Sequence, residues 1–402
     1  MAPLALWRSA LALCATAVAA ARTREPPELP VELARHALGF VPGVPLVAVA
    51  LGEEPTTLRR GAGVPQALAG AGTVVDAKFF PAGDRLVTAG ADGSVVIWCA
   101  RSGRVIRTLH WGRDGVVAAL QVEVFPDGDR VIGLGLGHGA VIWSASSGRL
   151  LHGTWWHHRA MRVFSQGDRV VSGLSWFWDE PAIIWHADTG RTLHLLTQPR
   201  DSIRHLELSL CGAKVVTAGA RSAYVWDAAS GALDAELARR MDWISGVAIS
   251  QGGSQVAVGS LGGGAMVFSG ATGELARAIH TDYGVLAVAF VEGGRRLVVF
   301  FNMQAVVLDV ASGRHLRSLT SGSEGVAEVQ RVSVSADGFV VAACGAAPSR
   351  RDWAGQRVVV WDTTTGQRLV DANSSAAPHG LSKPKCSVAL GPPSPLLTFE
   401  AW

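Results

Sequence analysis

Residues 94–109, SVVIWCARSGRVIRTL, decide how the chain reads. A β-branched run ends on an aromatic anchor, Trp98; a few small or polar residues follow, Gly103 turns the chain, and a second β-rich run leaves. The same phrase returns as AVIWSASSGRLL at 140, AIIWHADTGRTLHLL at 182, AYVWDAASGALDAEL at 223, AMVFSGATGELARAI at 265, AVVLDVASGRHLRSL at 305 and VVVWDTTTGQRLV at 358. Its Gly falls at 103, 148, 190, 231, 273, 313 and 366, so successive copies lie 40 to 53 residues apart. Self-similarity at that period marks an array of equivalent supersecondary units.

Upstream of the anchors sits a second pair of apolar runs around a tight turn. Examples are VVDAKFFPAGDRLVTAG at 74, LQVEVFPDGDRVIGLG at 120, VAISQGGSQVAVGS at 247 and VSVSADGFVVAACG at 332. Each turn places Gly where a hairpin needs positive φ, so each repeat reads as four antiparallel strands. A lone sheet of this kind cannot cover two apolar faces, whereas sheets stacked radially about an axis bury them. The expected fold is therefore all-β, a β-propeller of seven to eight four-stranded antiparallel blades. Eight is favoured, because apolar strand pairs at both ends otherwise lack partners. In that closure PLVAVALGEEPTTLRRG, from 45, supplies two strands and CSVALGPPSPLLTFEAW, from 386, supplies the other two.

These residues resemble WD-repeat proteins over about residues 73 to 402, through the pattern V-x-x-V-x-F-x-P-D-G … L-x-x-x-G-x-D-G-x-V-x-I-W-x-x-x-x-G. The individual motifs are worn. The family's turn Asp survives as Asp92 in the first repeat, with Trp98; His138, Arg221 and Gly263 stand there in the second, fourth and fifth repeats. Phe268 and Leu308 replace the anchor Trp in repeats five and six. In the family that Asp joins a hydrogen-bonded set with a His, a Ser/Thr and the Trp, so the resemblance implies that most blades here rely on packing instead.

Composition narrows the function. With 49% apolar residues, 17% charged and a net charge of +3, the chain has the profile of a folded protein. The 36 basic residues, nearly all Arg, are dispersed, which gives no electrostatic footprint for nucleic acid. No apolar run reaches the roughly 18 residues needed for a bilayer span, so no integral membrane span is expected. Five cysteines without C-x-x-C spacing signal neither zinc nor a disulfide framework.

Three readings of residues 1–21 stay open: a secretory signal peptide cleaved near 19–21, a mitochondrial-type presequence, or an Ala-rich tail. Localisation follows that choice, the secretory pathway if the segment is a signal peptide and otherwise cytoplasmic. Residues 22–44 read as a linker with a short helix, and 45–402 as the propeller. Within LPVELARHALGFVPGVPLVAVAL, residues 29–51, the segment also resembles the start of an F-box, through Leu29, Pro30, Glu32, Leu33, Leu38, Phe40, Pro42 and Leu46. That resemblance implies a helix, a Pro-containing turn and a further apolar helix, and as an alternative function a substrate receptor of a ubiquitin ligase.

Signatures of enzymes are missing: no G-x-S-x-G, no H-E-x-x-H and no phosphate loop. GLGLGHG at 133 spans a strand and its turn, where Gly permits close blade packing. The D-x-x-[ST]-G element is similar to one in quinoprotein dehydrogenases. Those carry their Trp after the Gly, however, and no adjacent Cys pair is present, which leaves a secreted quinoprotein-like enzyme as a remote alternative. His157, His158 and Asp179 could in principle ligate a metal, but side-by-side loop histidines read better as solvated, and no cofactor or metal site is expected.

Surplus aromatics carry the functional reading. Five of 14 Trp are blade anchors; others fall between blades (Trp111, Trp155, Trp156, Trp243) or between a blade's second and third strands (Trp176, Trp178, Trp353). In a four-stranded meander both loop types emerge at one end. Tyr283, Arg159, Arg221, Arg240 and Arg351 join them there. Trp and Arg gathered on one face have the composition of binding hot spots. The expected function is a non-catalytic scaffold that binds a protein or peptide partner there, although any single Trp can instead fold back as a cap over a blade edge.

Overall fold

The computed structural model describes residues 46–390 apart from 52–55, 61–65, 71, 112–118, 136–138, 155–157, 159, 174–180, 199–201, 239–241, 303, 320–325, 327, 336, 347–355 and 374–385. The targeting segment, the linker and most of the F-box-like stretch fall outside the described residues. One compact unit spans Pro45–Ser394.

Every repeat is a four-stranded antiparallel sheet with its strands in chain order. Blade 1 comprises Val74–Phe79, Arg85–Gly90, Val95–Cys99 and Val105–Leu109, from the inside outward. Blades 2 to 7 run over 119–153, 160–196, 205–238, 244–279, 285–318 and 328–373. An eighth sheet combines the chain's two ends: Cys386–Leu390 is innermost, then come Leu46–Leu51, Thr57–Arg60 and Gln66–Ala67. The innermost strands adjoin one another in blade order, through Cys386–Leu390 and back to Val74–Phe79, so the ring closes.

The terminal sheet differs from the expected division of two strands and two. Three strands come from the N-terminal side and one from the C-terminal side. The short pair Gln66–Ala67, antiparallel to Thr57 and Leu58, supplies the strand that sequence periodicity did not resolve. Leu46–Leu51 is itself a strand, paired to Cys386–Leu390 with Val49 opposite Val388. Where the F-box resemblance implied a further apolar helix, the backbone is therefore extended.

Apolar clusters sit between neighbouring sheets, not within any one of them. Blades 1 and 2 share a cluster with Val87, Ile97, Val131 and Trp143 fully buried. Leu58 and Leu68 of the terminal sheet pack with Leu86 and Trp98 of blade 1. Val388 joins blade 7 through Val340, Val358 and Val370. Each interface removes large side chains from water at about 25 cal/mol per Å² of apolar surface, which is why the blades hold only as a ring.

The repeated Gly has two duties, seen at Gly231. Its φ of 71° lies in the left-handed region, and a Cβ there would stand 2.5 Å from the His194 Cβ of the preceding blade. His152 meets Gly190 in the same way, so these two histidines are spacers between blades. At the other turn of blades 1 to 3, an Arg lies over the blade's own Phe and reaches onward. Arg85, Arg130 and Arg169 sit 4.1, 4.4 and 4.3 Å above Phe80, Phe125 and Phe164, and each donates at 2.7 Å to a carbonyl of the next blade, Gly128, Gly167 or Ala228.

Candidate functional site

The anchor residues fix where the loops leave the sheets. Trp98 Nε1 donates to Thr88 Oγ1 at 2.8 Å, and Trp226 Nε1 to Thr217 Oγ1 at 2.9 Å. Trp185 Nε1 donates to Ser172 Oγ at 3.0 Å, which is also 2.8 Å from His158 Nδ1. Trp143 Nε1 donates to the His110 carbonyl at 2.7 Å. Four of the five Trp anchors thus keep a hydrogen bond, which corrects the expectation of packing alone. A buried indole N–H without a partner costs about 1–3 kcal/mol, so hydroxyls one strand inward were retained even where the turn Asp was lost.

His158 is likewise corrected from a solvated loop residue: it is buried against Ser172. His157 and Asp179 lie outside the described residues, and no group of three metal-ligating side chains occurs among the described residues.

Hydrogen bonds between loops show that the two loop types share one end of the ring. Trp111, between blades 1 and 2, donates through Nε1 to the Gly93 carbonyl in a second-to-third-strand turn at 2.7 Å. Leu261 N, in the corresponding turn of blade 5, donates to the Trp243 carbonyl at 2.9 Å, and Ile244 N donates to Ala220 O at 2.7 Å.

The expected face residues divide. Trp111 is 8% exposed and packs edge-on to Trp143 with ring centroids 4.9 Å apart, over Gly133 and Gly135. It caps the blade edge and belongs to the core. Trp243 and Tyr283 are 47% and 52% exposed, and Arg221 is exposed. Trp155, Trp156, Arg159, Trp176, Trp178, Arg240, Arg351 and Trp353 lie outside the described residues.

Two residues absent from the sequence reading complete the patch. Arg204 lies over the Trp243 ring, its guanidinium carbon 4.4 Å from the centroid. Leu261 is 47% exposed beside Trp243, and the backbone of Gly284, next to Tyr283, closes against Leu261. Their loops are short and polar in sequence, so a single Leu or Arg there carries no pattern. Arg204, Trp243, Leu261 and Tyr283 therefore follow one another along the rim of blades 4 to 6.

Two other regions could house chemistry. The innermost strands of blades 1 to 4 and 7 carry Asp76, Lys78, Glu123, Arg162, Glu207 and Arg331. Lys78 and Arg162 lie 3.3 and 3.8 Å from Glu123, Arg162 lies 2.9 Å from Glu207, and Arg331 pairs with Asp76. Glu207 holds the Arg162 pKa above its ordinary value, as Asp76 does for Arg331. These six charges, three of each sign, are mutually paired, so the set ties blades together. At the end opposite Trp243 a shallow cleft of about 260 Å³ is lined by Leu208, Leu210, Ile249, Phe290, Val334 and Asp337, among others. Asp337 already accepts from Ser335 Oγ at 2.5 Å and Phe339 N at 3.1 Å, and Ser335 Oγ in turn accepts from Val340 N at 3.0 Å, so both side chains are engaged in the turn itself.

The family described as WD domain, G-beta repeat matches residues 65–99, the outer strand of the terminal sheet and most of blade 1. The chain is a WD-repeat β-propeller. Its fold is similar to the crystal structure of the computationally designed Ika8 protein, with a TM-score of 0.61 at 21% identity over 80% of this chain and 93% of that one. None of the curated protein sequences matches. Among the described residues no helix is long and apolar enough to cross a membrane.

Proposed function

We propose that this propeller is a non-catalytic scaffold that binds a protein or peptide partner over the Trp/Arg-rich end of the ring. The observation that carries the reading is the contiguous patch of Arg204, Trp243, Leu261 and Tyr283, three exposed apolar side chains and a stacked guanidinium on otherwise polar loops. WD-repeat propellers generally bind protein partners, which agrees with this placement. Trp155, Trp156, Arg159, Trp176, Trp178, Arg221, Arg240, Arg351 and Trp353 belong by sequence to the same two loop classes and extend the proposed surface. Trp243 would enter a pocket of the partner, with Arg204 offering its edge to a carboxylate at the rim.

The test is affinity capture with the full chain, compared quantitatively with Trp243→Ala and Tyr283→Ala. A central aromatic anchor is worth about 2 kcal/mol or more, so a partner should be retained roughly 30-fold less by Trp243→Ala while the melting temperature holds. Equal retention by wild type and both variants refutes the surface.

A further inference from the structure

A separate surface lies on the outer wall of blades 1 and 2. Their outermost strands, Val105–Leu109 and Leu150–Gly153, each expose two consecutive aliphatics: Val105 at 51% and Ile106 at 47%, Leu150 at 39% and Leu151 at 40%. The outer strands of blades 3 to 6 expose one large aliphatic each. Arg107 makes the two strands one wall, donating to the carbonyls of Ser146 and Ser147 at 2.9 and 3.1 Å.

The charge around them has one sign. Residues 101–109 and 144–153 hold Arg101, Arg104, Arg107 and Arg149 and no Asp or Glu. Arg101, Arg104 and Arg149 are exposed and lie in no ion pair among the described residues. Two carboxylates of the adjoining turns are engaged: Asp84 lies 3.6 Å from Arg85, and Asp129 accepts from Ser144 Oγ and Ser146 N at 3.0 and 2.8 Å.

Backbone chemistry selects the occupant. Val105–Leu109 has a neighbour on one side alone, Val95–Cys99, so its outer edge carries unmatched N–H and C=O groups. Lipid would leave those groups unpaired at a cost of several kcal/mol each, whereas an extended polypeptide satisfies them.

We propose that the outer wall of blades 1 and 2 binds an extended segment of a partner protein in which pairs of acidic residues alternate with pairs of branched aliphatic ones, added as a further strand along Val105–Leu109. Residues two apart in an extended chain share a face, so Arg104 stands with Ile106 and Arg149 with Leu151, and an added strand of that pattern offers a carboxylate and an aliphatic side chain on each of its faces.

The experiment is fluorescence anisotropy of the full chain with a labelled Glu–Val peptide of about eight residues, a repeat of Glu-Glu-Val-Val. Saturable binding that weakens with salt is expected, with a loss of about tenfold in Arg104→Glu/Arg149→Glu and in Ile106→Asp. Methylation of alternate peptide amides should abolish binding, a Lys–Val peptide should not bind, and Trp243→Ala should change nothing, which keeps this surface distinct from the proposed partner face. Failure of the Glu–Val peptide to bind, or binding indifferent to the Arg reversal or to amide methylation, overturns the proposal. So does co-sedimentation with phosphatidylserine-containing vesicles in place of peptide binding.

Discussion

Replacing Trp111 with Ala distinguishes a core indole from a surface anchor. The side chain is 8% exposed, donates to the Gly93 carbonyl at 2.7 Å and fills the space left by Gly133 and Gly135 against Trp143. Removing a buried Trp costs about 3–5 kcal/mol through lost burial and the cavity left behind. At about 2.1 cal/mol/K per residue over roughly 350 residues, each kcal/mol is about 1.4 °C, so the melting point should fall by about 4–7 °C. Gly133→Ala approaches the same site from the other side. Its Cβ would stand 2.7 Å from Trp143 Cζ3 and 3.2 Å from Trp111 Cη2, and such overpacking costs about 1–3 kcal/mol. In the double variant the space vacated by the indole should absorb part of the methyl's cost, so the two losses should be less than additive. Thermal or denaturant unfolding monitored by near-UV circular dichroism reads all three. Trp111→Ala melting within about 1 °C of wild type, or strictly additive losses, would refute the packing argument.

Two further outcomes follow from the inner strands. Burial disfavours the charged form of His205 and sets its pKa below the ordinary 6.5, against the raising effects of the Ile244 backbone and Glu207. The unfolded chain therefore takes up this proton first, and stability should fall as pH drops through about 6.5. His205→Gln should gain in melting temperature relative to wild type as the pH is lowered from 7.5 to 5; an unchanging difference would contradict this. Asp76, 1% exposed, also accepts from Ala77 N at 3.0 Å and Val122 N at 3.1 Å, so Asp76→Ala should cost about 2–4 kcal/mol by denaturant unfolding, and Arg331→Leu less. Equal costs would mean that the pair, and not the amide bonds, dominates.

The blades were legible because period and turn chemistry act locally. Gly103 and its equivalents announced the turn, to which the structure adds close contact with the preceding blade, and GLGLGHG announced a packed strand, as Gly133 and Gly135 under Trp111 now explain. The partners of the anchor indoles were not legible. Thr88, Ser172 and Thr217 are ordinary strand residues until the sheets are paired, and His158 looks solvated until Ser172 stands beside it. The split of the terminal sheet hid in a strand of two residues, too short to show a period. For the candidate face, sequence gave the shared end of the two loop types, but which rings point outward depends on packing. Trp111 finds a gap made by two glycines and turns in; Trp243 finds Arg204 and stays out.

Everything proposed for the loop end requires the terminal strands to complete the ring, and engineered cysteines test that directly. Val49 stands opposite Val388 in the antiparallel pairing. The double variant Val49→Cys/Val388→Cys, with the native cysteines replaced by Ser, should form an intrachain disulfide on mild oxidation, seen as a faster band on a non-reducing gel and lost on reduction. Free thiols at both positions in the folded protein, or bonds between chains in their place, would contradict the closed ring.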